Sequence, residues 1–127
     1  MKRDLDLLRD MLLVIESIEA KSQRVINIET FYHLCSDSYT VSQHIRLLLD
    51  SGFIEADGPL YNGDAADFYI TRITSSGYDY LDSVRNPGIW AATKAKLQTL
   101  GGSATLEIVK TIAIDLVKDY VAGRFQL

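Results

Sequence analysis

Very little in this sequence can staple, anchor or coordinate. Cys35 is the one cysteine, so no disulfide forms within the chain and a reducing compartment suits it. His33 and His44 are the two histidines, and no H-E-x-x-H, G-x-S-x-G or P-loop pattern occurs. A lone thiol and two imidazoles fall short of the converging ligands of a soft metal site, so neither metal nor cofactor is expected. No uncharged apolar run reaches the roughly eighteen residues of a transmembrane helix, so no membrane partner is expected. Met1-Lys2-Arg3 is basic, but Asp4, Asp6, Arg9 and Asp10 interrupt the apolar stretch that a signal peptide requires. These absences point to a cytoplasmic protein that is not an enzyme.

Bases are scarce as well, and unevenly placed. From Met1 to Asn86 eight Lys and Arg stand against fourteen Asp and Glu; from Pro87 to Leu127 five stand against three. What remains is ordinary: 127 residues, the size of one domain, with 47% hydrophobic residues, enough for a core without staples.

Thr40 to Ala56 organises the rest. Val41, Ile45, Leu48 and Leu49 recur at spacings of three and four and predict one apolar helical face, with Ser42, Gln43, Arg46 and Asp50 largely outside it. Gly52 can end that helix with a positive φ, and Phe53, Ile54 and Ala56 lead into a strand. A helix that turns into a hairpin is the pattern of a winged helix. The run Ser42-Gln43-His44-Ile45-Arg46 through Gly52-Phe53-Ile54 resembles the recognition helix of the arsenic-repressor-like family of small bacterial repressors.

Around this stretch the expected order is as follows. A first helix runs from Asp4, its N-cap, to about Ala20, with Leu5, Leu8, Leu12, Ile15 and Ile18 inward. Arg24 to Ile28 is a short strand beside the hairpin. Thr30 caps a helix from Phe31 to about Ser36, and Ser38 or Thr40 starts the next. Strands Phe53–Asp57 and Phe68–Thr74 flank turns at Gly58-Pro59 and Asn62-Gly63. A fourth helix, Ser76 to about Asn86, is capped by Thr74 or Ser75 and packs through Tyr78, Leu81, Val84 and Arg85. Two more, Gly88–Leu100 and one capped by Ser103 and ending near Ala122, form a C-terminal extension. The fold class is mainly α with a small antiparallel β wing, a winged helix-turn-helix plus that extension. One domain spans 1–127, with its winged-helix core at 1–86 and the extension at 87–127.

Each candidate site has a plainer alternative. Thr40, Ser42, Gln43, His44 and Arg46 would contact bases and phosphates from a major-groove helix. The plainer reading is a solvated face, with His44 closing the edge of the core. His33 and Cys35 lie near where metal-sensing relatives of the arsenic repressor hold ligands, but a buried structural cysteine fits better. Asp64 and Asp67 lack the ligand density of a calcium loop. Gly101-Gly102-Ser103 before a helix could hold an anion, and a helix break with a cap explains it as well. Trp90, Leu97, Leu106, Val109, Ile112, Leu116 and Tyr120 supply more apolar surface than a surface helix needs. Either the two C-terminal helices fold back and complete the core, or they expose a stripe that pairs with a second copy. The favoured expectation is the second, a homodimer through the extension.

The chain as a whole resembles a family of small uncharacterised proteins of bacteria and their phages, catalogued as a domain of unknown function. The likeness rests on the opening Met1-Lys2-Arg3-Asp4-Leu5-Asp6-Leu7-Leu8-Arg9 and on His44-Ile45-Arg46-Leu47-Leu48 through Gly52-Phe53-Ile54. It continues through Ile73-Thr74, Gly77, Leu81-Asp82, Val84-Arg85-Asn86, Ile89-Trp90 and Thr93-Lys94 to Gly101-Gly102-Ser103-Ala104 and Leu106-Glu107-Ile108-Val109-Lys110. The family pattern favours Leu where this chain has Phe53. The resemblance implies a winged helix with a helical extension and carries no known activity. The leading expectation is a DNA-binding transcriptional regulator of bacterial or phage origin, its partner double-stranded DNA. The rival is an acidic winged-helix module that binds a host protein and no DNA, favoured by the acidic balance and a hairpin loop without bases.

Overall fold

The structure, a computed structural model, describes residues 1–19, 25–61, 63, 65–102 and 104–127. It is mainly helical with one small antiparallel sheet, as a winged-helix-like chain requires. The chain divides into two compact units, Met1–Tyr78 and Asp79–Leu127.

In the first unit, α1 (Leu5–Glu19) starts at Asp4, whose carboxylate accepts the Leu7 amide at 3.1 Å. Its buried stripe is Leu7, Leu8, Met11, Leu12 and Ile15. Leu5 and Ile18 are only half-buried, so the inward face turns toward Met11 from the expected one. The expected end at Ala20 and the start of the expected strand at Arg24 lie outside the described residues. Val25 to Asn27 form no strand; one backbone bond, from the Ile70 amide to the Ile26 carbonyl at 2.9 Å, joins this stretch to the hairpin. Asn27 instead caps a 3-10 turn, Ile28–Phe31, and the Asn27 amide in turn donates to Thr30 Oγ1. That reciprocal cap occupies Thr30, so the expected helix from Phe31 to Ser36 does not form.

Helix α2 (Ser38–Asp50) follows and ends as expected. Gly52 takes φ 73°, its amide reaches the Leu49 carbonyl, and the Phe53 amide reaches that of Leu48, so the last carbonyls are satisfied. Strand β1 (Ile54–Tyr61) pairs antiparallel with β2 (Ala66–Ile73). Gly58-Pro59 is no turn: it sits inside β1, where the register slips between Asp57 and Leu60. Of the expected turn residues, Asn62 and the loop acid Asp64 lie outside the described residues. Ala66, Phe68 and Ile70 alternate inward from β2, and Ile73 turns inward again after a second register slip opposite Glu55 and Ala56.

Helix α3 (Ser75–Val84) begins where Thr74 Oγ1 accepts the Gly77 amide at 3.1 Å. Thr74 also donates its hydroxyl to the Gly52 carbonyl, tying the end of β2 to the bend before β1. Gly77 is a close approach: a Cβ there would stand 2.1 Å from the Phe53 carbonyl oxygen. Glu19 secures the same corner, accepting the Ile73 amide at 2.7 Å and the Tyr78 hydroxyl at 2.9 Å. Tyr80, Leu81, Ser83 and Val84 are the buried residues later in α3; Tyr78 is half-buried, and Arg85 lies past the helix, paired with Asp82.

In the second unit, α4 (Pro87–Gln98) opens on proline at its first position, with Asn86 accepting the Gly88 and Ile89 amides. It ends where the Gly102 amide bonds the Leu97 carbonyl and the Gly101 amide that of Gln98. Helix α5 (Leu106–Val121) is capped by Thr105; the expected cap, Ser103, lies outside the described residues. The two helices pack together, with Ile89, Trp90, Thr93 and Leu97 buried on α4 and Leu106, Val109, Ala113 and Leu116 on α5. No described helix is long and apolar enough to cross a membrane.

Candidate functional site

Helix α2 divides its polar residues between two faces. Ser42 and His44, expected to face a ligand, are 1% and 0% exposed. Ser42 Oγ donates to the Ala66 carbonyl at 2.6 Å, fastening the helix to the start of β2. His44 Nε2 accepts the Asp4 amide at 2.9 Å, while Nδ1 lies 2.8 Å from the Thr40 carbonyl. An amide only donates and a carbonyl only accepts, so Nε2 is the acceptor and Nδ1 the donor. His44 therefore joins the N-cap of α1 to α2. Neither side chain can read a base edge from this position, and the buried face of α2 includes both where Leu49, half-buried, was expected. Thr40 is half-buried and donates its hydroxyl to the Asp37 carboxylate at 2.6 Å, bracing the start of the helix.

Gln43 and Arg46 do lie on the outward side. With Tyr39, Leu47 and Asp50 they form a stripe at helical spacing, from half-buried to exposed. The Arg46 guanidinium sits 5.4 Å from the centroid of the buried Phe68 ring and donates to the Tyr61 hydroxyl at 3.3 Å. That bond brings Tyr61, near the hairpin loop and 76% exposed, beside the outer face of α2. Sequence reasoning missed both tyrosines. Tyr39, 53% exposed, could have been found by stepping back from Arg46 and Gln43 along the helix. Tyr61 carries no such signal, because its place follows from the hairpin register, which the slip at Gly58-Pro59 shifts.

The surrounding field is mixed to acidic. Arg72 binds Glu55 through Nε and Nη2, at 3.0 and 2.9 Å, across the exposed side of the hairpin. The hydrogen bond and charge of Arg72 hold the Glu55 carboxyl below its ordinary range, and Glu55 raises Arg72 in return. Asp67 does not stand at the loop tip as an acid facing a partner. Its carboxylate accepts the Ile28 and Phe68 amides at 3.1 and 2.7 Å and ties the 3-10 turn to β2. Burial first, then the Glu29 and Asp67 charges, push the Tyr32 phenol up.

An open cleft of about 270 Å³ lies beside the start of α1, lined by Asp4, Asp6 and Asp10 and by Leu34, Cys35 and Thr40. Cys35 is half-exposed rather than buried, and His33 is exposed. Among the described residues no three His, Cys, Asp or Glu come together in a way that could hold a metal ion.

The residues expected to join two copies sit mostly inside the chain. Trp90, Leu97, Leu106, Val109 and Leu116 are buried, Ile112 is half-buried, and Tyr120 is exposed. Lys94 Nζ stands 5.6 Å from the Trp90 ring centroid.

The chain matches the family described as hypothetical protein (DUF2513) over residues 2–104. The chain belongs to the DUF2513 family. The matched stretch takes in α2, the hairpin and α4 and stops short of α5. A relative in Haemophilus influenzae, titled an uncharacterized protein, is 32% identical over 124 residues, covering 96% of this chain and all of that one. No solved structure matches the chain.

Proposed function

We propose that this DUF2513 protein is a winged-helix interaction module, not an enzyme, that binds a protein partner through the outer face of α2 and Tyr61. The observation that carries the reading is the inward burial of Ser42 and His44. It removes two of the five expected DNA contacts and leaves an outward stripe of Tyr39, Gln43, Arg46, Leu47 and Asp50. A face with one base and one acid does not make the basic track that phosphate binding needs. Tyrosine and arginine are residue types that dominate protein interfaces. The acidic balance of the chain up to Asn86 supports the same side. We place the protein in the cytoplasm on the same reading.

DNA binding is the second reading. It is favoured by one observation: Gln43 and Arg46 face outward on the helix that leads into the hairpin. A dimer bound that way would read half-sites about one helical turn apart.

A fluorescence-anisotropy titration with a random duplex pool, at low and near-physiological salt, separates the two. The protein-binding reading expects no binding at either salt. Binding that weakens steeply with salt and is lost in Gln43→Ala with Arg46→Ala would establish DNA instead.

A further inference from the structure

The outer face of α2 carries a cation whose charge no carboxylate among the described residues answers. Arg9, Arg72, Arg85 and Arg124 each lie against an aspartate or glutamate, at 3.4, 2.9, 2.7 and 3.1 Å. Arg46 has a neutral setting instead, with the Phe68 ring under its guanidinium and the Tyr61 hydroxyl taking one N–H. Asp50 stands one helical turn along, yet among the described residues the two form no ion pair. A guanidinium has five N–H donors, so the bond to Tyr61 leaves most of the fork open. The ring beneath it restrains the plane of that fork. A restrained, half-exposed fork without a counter-charge is suited to a planar acceptor that takes two N–H bonds at once, which is what a carboxylate offers.

We propose that Arg46 anchors one carboxylate of a protein partner, an Asp or Glu side chain set among apolar neighbours that pack on Tyr39 and Tyr61. The proposal rests on the protein-binding reading above and names the chemistry of its partner. Charge complementarity here is local, one cation for one anion. A run of phosphates would have to pass Asp50 on α2 as well, and a single carboxylate need not.

The test is a selection of random peptides displayed on phage against the immobilised full chain, followed by titration of synthetic copies of the enriched peptides. The expected peptides share one Asp or Glu beside aromatic or aliphatic residues. Exchanging that acid for its amide, or Arg46→Met in the chain, weakens binding by at least about tenfold. The two changes together weaken it no further, because each removes the same contact. Arg46→Met keeps a straight apolar stem over Phe68, and an unchanged thermal melt certifies its fold. Enriched peptides that bind Arg46→Met as well as the parent chain overturn the anchor while leaving the face a protein-binding one. Duplex binding that Arg46→Met abolishes, with no peptide enriched, overturns both the anchor and the reading beneath it. No peptide enriched and no duplex bound overturns the anchor as well.

Discussion

Helices α2 and α5 are of similar length, thirteen and sixteen residues, and they use their side chains in opposite ways. Helix α2 buries two polar side chains, Ser42 and His44. Helix α5 exposes four large apolar ones, Ile108, Val117, Tyr120 and Val121. The difference lies in the partners within reach. Each of these side chains reaches a backbone group of another element: His44 Nε2 the Asp4 amide, at the open end of α1, and Ser42 Oγ the Ala66 carbonyl, at the start of β2. Groups at such ends lack partners within their own element, and a nearby side chain supplies one. Helix α5 buries one narrow stripe, Leu106, Val109, Ala113 and Leu116, at spacings of three and four. Burial ends at Leu116: Tyr120 continues the line of the stripe but is 49% exposed, and Ile108 and Val121 lie outside it. Hydrophobic content therefore sets how much a helix can bury, and the geometry of its neighbours sets which residues it does bury.

The largest effect that bears on this comparison is at His44. His44→Ala leaves the Asp4 amide without its acceptor and opens a cavity where the ring was. The expected cost is about 3–4 kcal/mol, read as a shift in urea unfolding. A cost of about 1 kcal/mol or less would mean that the inner polar face of α2 is idle. Leu116→Ala probes the counterpart on α5, a fully packed apolar position, and should cost about 3 kcal/mol in the same assay. Ser42→Ala comes next. It removes one buried bond and little volume, for about 1–2 kcal/mol, and the same change at the exposed Ser51 should cost clearly less.

Features written locally were legible in the sequence. Asp4 as a cap and Gly52 as a stop each follow from a residue's own local preferences. The hairpin and the helix before it followed from apolar spacing. What was not legible depends on partners far away in the chain. Val25-Ile26 has strand character, yet Asn27 and the Asp67 carboxylate satisfy the amides after it, so among the described residues of this stretch Ile26 alone bonds the hairpin backbone. Gly58-Pro59 looks like a turn, and the chain passes through it as an irregularity inside β1. His44 sits among Ser42, Gln43 and Arg46, and the partner that fixes it inward is forty residues away, at Asp4. Of the candidate site, Gln43 and Arg46 were legible from helical spacing alone, and their meeting with Tyr61 was not.

The smallest expected effect is the sharpest. Ile108 stands beside Val109 in sequence, but it is 45% exposed where Val109 is fully buried. Ile108→Ser should change stability by no more than about 0.5 kcal/mol, since it removes little packed surface. The loss should not depend on protein concentration. That result would confirm that α5 leaves this side to solvent and that its narrow stripe alone is buried. A loss that grows as the protein is concentrated would break the comparison, because the side would then be buried between copies of the chain. Sedimentation of the parent chain and of Ile108→Ser, each across a range of concentrations, distinguishes the two. In the second case the side of α5 that carries Ile108 would form the face of the expected homodimer, in place of the buried Trp90, Leu97 and Leu116.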